Sequence, residues 1–533
     1  MGLFHPTLPD YDPLVWRKLP MQERARLVCQ AWATQGYGSP VAAYGFYALK
    51  VLFYIAAWRW FTGPVEWLTP IAFQKAILWS MLFEGLGLGC GSGPLTGRYF
   101  PPFGGFLYWL RPGTTKLPLL GGTKRTGFDI ALYASWIAFT LRALTADTIS
   151  FELLLPVIIL VPLIGLRDKT IFLAMRSEHY WVTLICFAFA SDWIAGAKSV
   201  QVALWFFAGF SKLNHHFPSV VGVMVSNSPV TRFAWIRKRM YINFPSDLRP
   251  SSLAIWMGHL GTALELSVGI LMLFAQPGPS LFIAMALMLA LHLFITSNVP
   301  MGVPIEWNFM VVYGAFALFW AHPEVSPLSI TSPWLALILG VTLIVLPIAG
   351  NLWPARVSFL PSMRYYAGNW AYSVWLFRSE SHKKLRNLVT SSAWVYEQLD
   401  RFYDRATGIA VVGKVMGFRM MHLHGRALSE LLPKAVTHLP DYEYLDGEIV
   451  AGLTLGWNFG DGHLHNEDLL MRIQEQCKFE PGELRCIFVE SQPLGGKSLN
   501  YRIFDAATGE IEQGDIQVKE LLKRQPWGTQ SSR

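Results

Sequence analysis

The sequence predicts a mainly α-helical, polytopic membrane protein of about ten spans, followed by a small C-terminal α+β domain. Three observations predict it. Hydrophobic residues fill 52% of the 533 positions and charged residues only 15%, a balance too apolar for a water-soluble chain of this size. Nearly all the long apolar runs lie before Gly350, and after it charges, turns and mixed patterns return. Lys and Arg gather in alternate loops, the positive-inside pattern of membrane helices.

Taken in order, residues 1–38 contain one helix, Met21 to Trp32, whose apolar and charged residues separate onto two faces, as an interfacial helix lying on a membrane requires. The N-terminus lacks the basic-then-apolar order of a signal peptide, so the first span is expected to target the chain. Residues 39–350 form the membrane domain. Its apolar runs of near-spanning length are 40–61, 70–90, 127–147, 151–166, 178–195, 199–213, 252–275, 280–297, 306–321 and 332–350.

Loop charges support that count. Arg17, Lys18, Arg24 and Arg26 precede the first run; Arg98, Arg111, Lys116, Lys124 and Arg125 follow the second. Arg167, Lys169 and Arg176 follow the fourth, and Arg232, Arg237, Lys238, Arg239 and Arg249 follow the sixth. The alternation predicts both termini in the cytoplasm of a multi-pass protein of the cell's inner (plasma) membrane. The Gly- and Pro-rich loop 91–126 reads as irregular and re-entrant, capping a cavity on that side.

Residues 351–533 predict a soluble, cytoplasmic α+β domain large enough for its own core. Helices are expected at 381–402, 424–435 and 466–477, and strands at 448–456, 484–490 and 499–505. Asp505 to Gly509 reads as a hairpin turn leading into a strand from Glu510 to Val518. A domain of this kind suits a cytoplasmic protein partner.

The net charge of +8 does not point to nucleic acid, because the basic residues flank apolar runs. Five cysteines in no metal-type spacing imply neither a disulfide framework nor a zinc site. No phosphate-binding loop, no Ser-His-Asp order and no half-length repeat stand out, which leaves ATP-driven transport and serine hydrolysis without support.

The chemistry centres on Ala208 to Phe217, where Lys212, His215 and His216 end an apolar run. Snorkelling to the headgroups would explain a lone helix-end lysine. Other ionisable residues fall at the same depth, however: Glu178 and His179 open one helix, His259 lies about two turns into a later one, His292 nears the end of the next and Glu306 opens the one after. Imidazoles and carboxylates are too short to snorkel, so one polar pocket in the cytoplasmic leaflet is the economical reading. Lys50, Glu84 and Glu265 lie deeper and need partners or water.

Ala208 to Phe217 resembles the A-G-x-x-K-L segment of the HTTM and vitamin K-dependent carboxylase superfamily. Asp168 to Thr170 with Glu178 to Trp181, and Leu291 to Leu293, are similar to its other histidine-bearing segments, so the likeness covers about 167–310. It implies that Lys212 is a base that deprotonates a hydroquinone, with His179 and His292 assisting, and that a reduced quinone is the cofactor. A lysine desolvated in an apolar pocket is suited to act as a neutral base. The likeness also implies a lumenal active site, opposite to the side predicted by the loop charges. The whole chain, including Asn351 to Trp370 and Gly456 to His465, resembles more specifically a bacterial transmembrane family of unknown function.

In the C-terminal domain, His422 and His424, and His463 and His465, form two His-x-His pairs, the second beside Asp461 and Glu467. On a strand, residues two apart share a face, so the pairs with Asp461 have the makings of a metal site. Surface histidines in loops are the plainer alternative.

Together these readings predict a membrane enzyme acting on a lipid-soluble substrate, a quinol or acyl lipid. Lys212, His179 and His292 are its catalytic candidates, and His215, His259, Glu265 and Glu306 its substrate-binding ones. The competing readings are a lipid-binding or transport protein and a membrane scaffold whose tail recruits a soluble partner.

Overall fold

The computed structural model of the protein describes residues 2–89, 105–231, 233–298, 305–457 and 459–528. Residues 90–104 of the expected re-entrant loop lie outside the described residues.

Among the described residues four helices are long and apolar enough to cross a membrane: α2 (Val41–Thr62), α9 (Ser252–Phe274), α10 (Pro279–Thr296) and α12 (Pro333–Leu352). Each turns large apolar side chains outward, among them Phe53 and Trp60 on α2, Trp256 and Phe274 on α9, Phe282 on α10 and Trp334 on α12. The other expected runs form shorter, more enclosed or less apolar helices: α3 (Pro70–Gly85), α4 (Gly127–Thr145), α5 (Phe151–Arg167), α6 (Tyr180–Phe187), α7 (Trp193–Phe210), α8 (Phe217–Asn227) and α11 (Ile305–Trp320). Of about ten runs expected to span, four meet that standard among the described residues. The physical reason is visible in α3, where every residue from Lys75 to Gly85 is buried. A helix enclosed by other helices is apolar all round without facing lipid.

The C-terminal domain is built on a five-stranded antiparallel sheet of order β2-β1-β3-β4-β5, with β1 at Tyr372–Arg378, β2 at Tyr442–Asp446, β3 at Leu484–Val489, β4 at Ser498–Asp505 and β5 at Gly509–Gln517. The predicted hairpin forms between β4 and β5. Asp505 Oδ1 accepts from the backbone N–H of Ala507 (3.0 Å) and Thr508 (3.3 Å), and Gly509 supplies the left-handed conformation, φ +89°. Residues 448–456 are not the expected strand. Gly447–Leu455 is a helix, capped by Asp446 at its start and by Gly456 in the left-handed conformation after its end. The short apolar run there is a fully buried helix, which periodicity alone does not distinguish from a strand.

The N-terminal helix α1 (Met21–Gln35) forms as expected, but its apolar face is covered by protein. Val28, Cys29 and Trp32 are fully buried, and α1 packs along α13 (Arg405–Met421), the long helix behind the sheet. Glycines permit the close approach: a Cβ on Gly417 would lie 3.1 Å from the carbonyl oxygen of Val28, and one on Gly413 would lie 2.8 Å from the Trp16 ring. Lys414 ties the same segment down by donating to the carbonyls of Thr7 (2.8 Å) and Tyr37 (3.2 Å).

The membrane helices and the C-terminal domain share an interface. Trp109 Nε1 donates to Leu455 O (3.1 Å), Arg472 Nε to Lys116 O (3.1 Å), and His216 Nε2 lies 2.7 Å from Gln492 Oε1. The segment 353–371, between the last helix and β1, runs along that seam and carries Tyr365 into the membrane helices.

Candidate functional site

Lys212 lies just past the end of α7, where the chain breaks before α8. It neither reaches the surface nor snorkels. The residue is 6% exposed, and its Nζ forms an ion pair with Glu265 on the inward face of α9. The same Nζ donates to the carbonyls of Ala208 (3.3 Å) and Tyr365 (3.2 Å) and stands 5.2 Å from the centre of the Phe217 ring. Three acceptors around one nitrogen describe an ammonium. For Lys212 to act as a base, Glu265 must first take its proton.

From Tyr365 the network continues into the helices. The Tyr365 hydroxyl donates to Glu178 Oε1 (3.0 Å), and Glu178 is held by Arg176 Nε (3.1 Å). The Arg176 guanidinium lies over the Trp307 ring, 4.9 Å from its centre, and Trp307 Nε1 donates to His179 Nδ1 (3.1 Å). A histidine nitrogen that accepts carries no proton, so this ring is neutral. The structure therefore joins Lys212 and His179 through Tyr365, Glu178, Arg176 and Trp307.

The first turn of α11 carries the network further. Glu306, the neighbour of Trp307, pairs with Lys50 of α2 at 3.1 Å, both almost fully enclosed. Glu84, near the C-terminal end of α3, sits within the reach of Glu306, Lys50, Arg176 and Glu178.

The remaining candidates lie elsewhere. His292 accepts from Trp205 Nε1 at Nε2 (2.9 Å), and its Nδ1 lies 2.5 Å from Asn308 Oδ1. Both ring nitrogens are thus committed to a bridge between α7, α10 and α11. His259 and His215 are exposed, which removes them from the pocket wall expected of them. Glu265 is part of the site as a direct partner of Lys212, and Glu306 belongs to its Lys50 branch.

The profile of a family described as "Transmembrane protein of unknown function (DUF3556)" matches residues 1–532. The chain belongs to the DUF3556 family. Neither the curated proteins nor the solved structures give a match. The family match establishes a transmembrane protein and shows no link to the HTTM and carboxylase superfamily.

In this DUF3556 protein the two His-x-His pairs do not form the expected metal site. His422 Nδ1 is 2.7 Å from Phe418 O and His424 Nδ1 is 2.7 Å from Gly368 O, while His465 Nδ1 meets Ser373 Oγ at 2.7 Å. His463 is clamped between Asp461 (3.4 Å) and Glu490 (2.9 Å). Burial pushes His422 down to about 3 and His465 down to about 4, with smaller contributions from neighbouring groups, so both rings are neutral. Burial opposes charge on His463 too, but Glu490 and Asp461 outweigh it and hold the ring up to about 10. Among the described residues no group of three or more His, Cys, Asp or Glu is arranged to hold a metal ion.

Sequence reasoning missed Arg176, Trp307 and Tyr365. Arg176 reads as a loop charge and Trp307 as part of an apolar run; Tyr365 lies beyond the last span.

Proposed function

We propose that this DUF3556 protein is a multi-pass membrane enzyme that exchanges protons with a lipid-soluble substrate, a quinol or an acyl lipid, at the Lys212–Glu265 pair. The observation that supports this reading is the ion pair itself, enclosed among apolar helices and linked to His179 by contacts through Tyr365, Glu178, Arg176 and the Trp307 ring. Moving a proton from the ammonium to Glu265 turns an ion pair into a neutral pair, and because burial disfavours charge that transfer is easier here than in water. The amine left behind is a base, oriented by the contacts it already makes. A reduced quinone fits this chemistry as the substrate whose hydroxyl gives up the proton. In this reading the pocket faces the cytoplasmic leaflet of the cell's inner membrane, both termini are cytoplasmic, and the C-terminal domain meets a cytoplasmic protein partner.

The competing reading is a lipid-binding or transport protein that uses the network only for structure. Mass spectrometry of the lipids that copurify with wild type, Lys212→Ala and Lys212→Arg separates the two. An enzyme keeps its lipid and loses the converted product in both variants, because a guanidinium stays protonated and accepts nothing. Equal conversion by wild type and Lys212→Arg rules out the base. Loss of lipid from Lys212→Ala, with no product in wild type, supports binding or transport.

A further inference from the structure

Among the described residues the charges of the network that joins Lys212, Arg176 and Lys50 do not balance, and the imbalance falls on Glu84. Among the described residues the network has three cations, each with its own carboxylate: Lys212 with Glu265, Arg176 with Glu178 and Lys50 with Glu306. His179 is neutral by its hydrogen bond from Trp307. A fourth carboxyl, Glu84, forms no ion pair with any described residue. It is 3% exposed, and its Oε1 is fully buried without a hydrogen-bond partner.

The surroundings give a carboxylate little else to lean on. Gly89 packs its backbone against the group, so that a Cβ there would stand 1.7 Å from Glu84 Oε2. The charges that act on it are Glu306, Arg176, Lys50 and Glu178, and the hydroxyls of Tyr54 and Tyr180 lie within its influence. From α4, the Tyr133 hydroxyl is already spent on the carbonyl of Gly85 (2.8 Å). A lone ionised carboxylate in such a place is expelled, paired or protonated. Among the described residues Glu84 is neither expelled nor paired.

We propose that Glu84 carries an exchangeable proton, and that it is the proton-binding site of the membrane domain. A metal cation is the weaker occupant, because the Lys50 ammonium already stands 3.1 Å from Glu306, where a shared cation would sit. Among the described residues no three ligands converge there either. With the proton on Glu84 the network is neutral overall; without it, the network carries one negative charge in low dielectric. Glu84 therefore gains or loses its proton in step with any change that adds or removes a positive charge nearby, such as arrival of a cationic or proton-donating ligand. The proposal does not depend on Lys212 acting as a base.

Infrared spectroscopy of the full-length protein in lipid tests it, through the carbonyl stretch of a protonated carboxylic acid. Wild type should show such a band, and it should shift on transfer to D2O. Glu84→Gln is isosteric with the protonated acid, so it should melt with wild type and lose the band. Lys50→Met leaves Glu306 without its cation and should gain a second band. The wild-type band should be the same in sodium, potassium and N-methylglucamine buffers. A band that survives in Glu84→Gln, the absence of any exchangeable band in wild type, or a band that vanishes in sodium alone would each overturn the assignment.

Discussion

Replacing Lys212 by Met leaves Glu265 facing an apolar interior with no other hydrogen bond from a side chain, since Lys212 is its one such donor among the described residues. The carboxyl then ionises against burial or takes up a proton. At pH 7 the second route costs roughly 4 kcal/mol, from a reference value near 4.3 and about 1.4 kcal/mol per pH unit, and this caps the loss. Glu265→Met leaves the ammonium with the carbonyls of Ala208 and Tyr365. Neutralising it at pH 7 costs at most roughly 4.6 kcal/mol, less whatever those carbonyls retain. Both single variants should lose about 3 kcal/mol or more, as broken buried pairs do, whereas Lys212→Met with Glu265→Met should return to within about 1–2 kcal/mol of wild type. The penalty in Lys212→Met should also shrink by about 1.4 kcal/mol for each pH unit below 7, because protonating the orphaned carboxyl becomes easier. Unfolding in mixed micelles with increasing SDS, read at pH 5 and pH 7, measures all of this. Single variants that lose under about 1 kcal/mol and simply add in the double would mean that Lys212 reaches water, and the network reasoning would fail with it.

Three other outcomes are expected. His463, held charged by Glu490 and Asp461, has a folded value above its unfolded one, so its stabilisation is complete below about pH 6.5 and is lost as pH rises towards 10, by an amount on the order of a few kcal/mol; His463→Gln should flatten the unfolding free energy over that window. Gly417→Val drives side-chain atoms into the backbone of Val28 and should cost about 1–3 kcal/mol, seen as earlier proteolytic release of the N-terminal segment, with unchanged digestion counting against the packing. Tags on the two termini should be protected together in right-side-out vesicles, and a C-terminal tag reached from outside with the N-terminal one protected would reverse the loop-charge reading.

Legibility of the site varied with where the signal resided. Lys212 and His179 stood out as ionisable residues at the end of an apolar run, and Glu265 and Glu84 because they lie deeper inside one, where a charge is costly without a partner or water. Tyr365 gave no such signal. It acts through a carbonyl and a hydroxyl from an irregular segment, and any loop residue offers the first of these. The His-x-His pairs misled because the argument from two-residue spacing assumes a strand. His422 caps the end of α13, His424 begins a 3-10 turn, and His463 lies inside another, so the ring nitrogens are committed to different hydrogen-bond partners even where two rings lie close.

Composition and order alone determined that the chain is a membrane protein, that its character changes near Gly350, and that the last two strands pair through the Asp505–Gly509 turn. Those features depend on local chemistry: apolar content, turn geometry and residue spacing. Tertiary structure decided which apolar helices face lipid, where the N-terminal helix buries its apolar face, and which carboxylate each buried cation receives. Removing apolar surface from water is favourable whether lipid or protein covers it, so the sequence of α3 reads like a span although other helices enclose it. Likewise Lys50 could have paired with Glu84 or Glu265 by its depth in the sequence, and the packing of α2 against α11 gave it Glu306 instead.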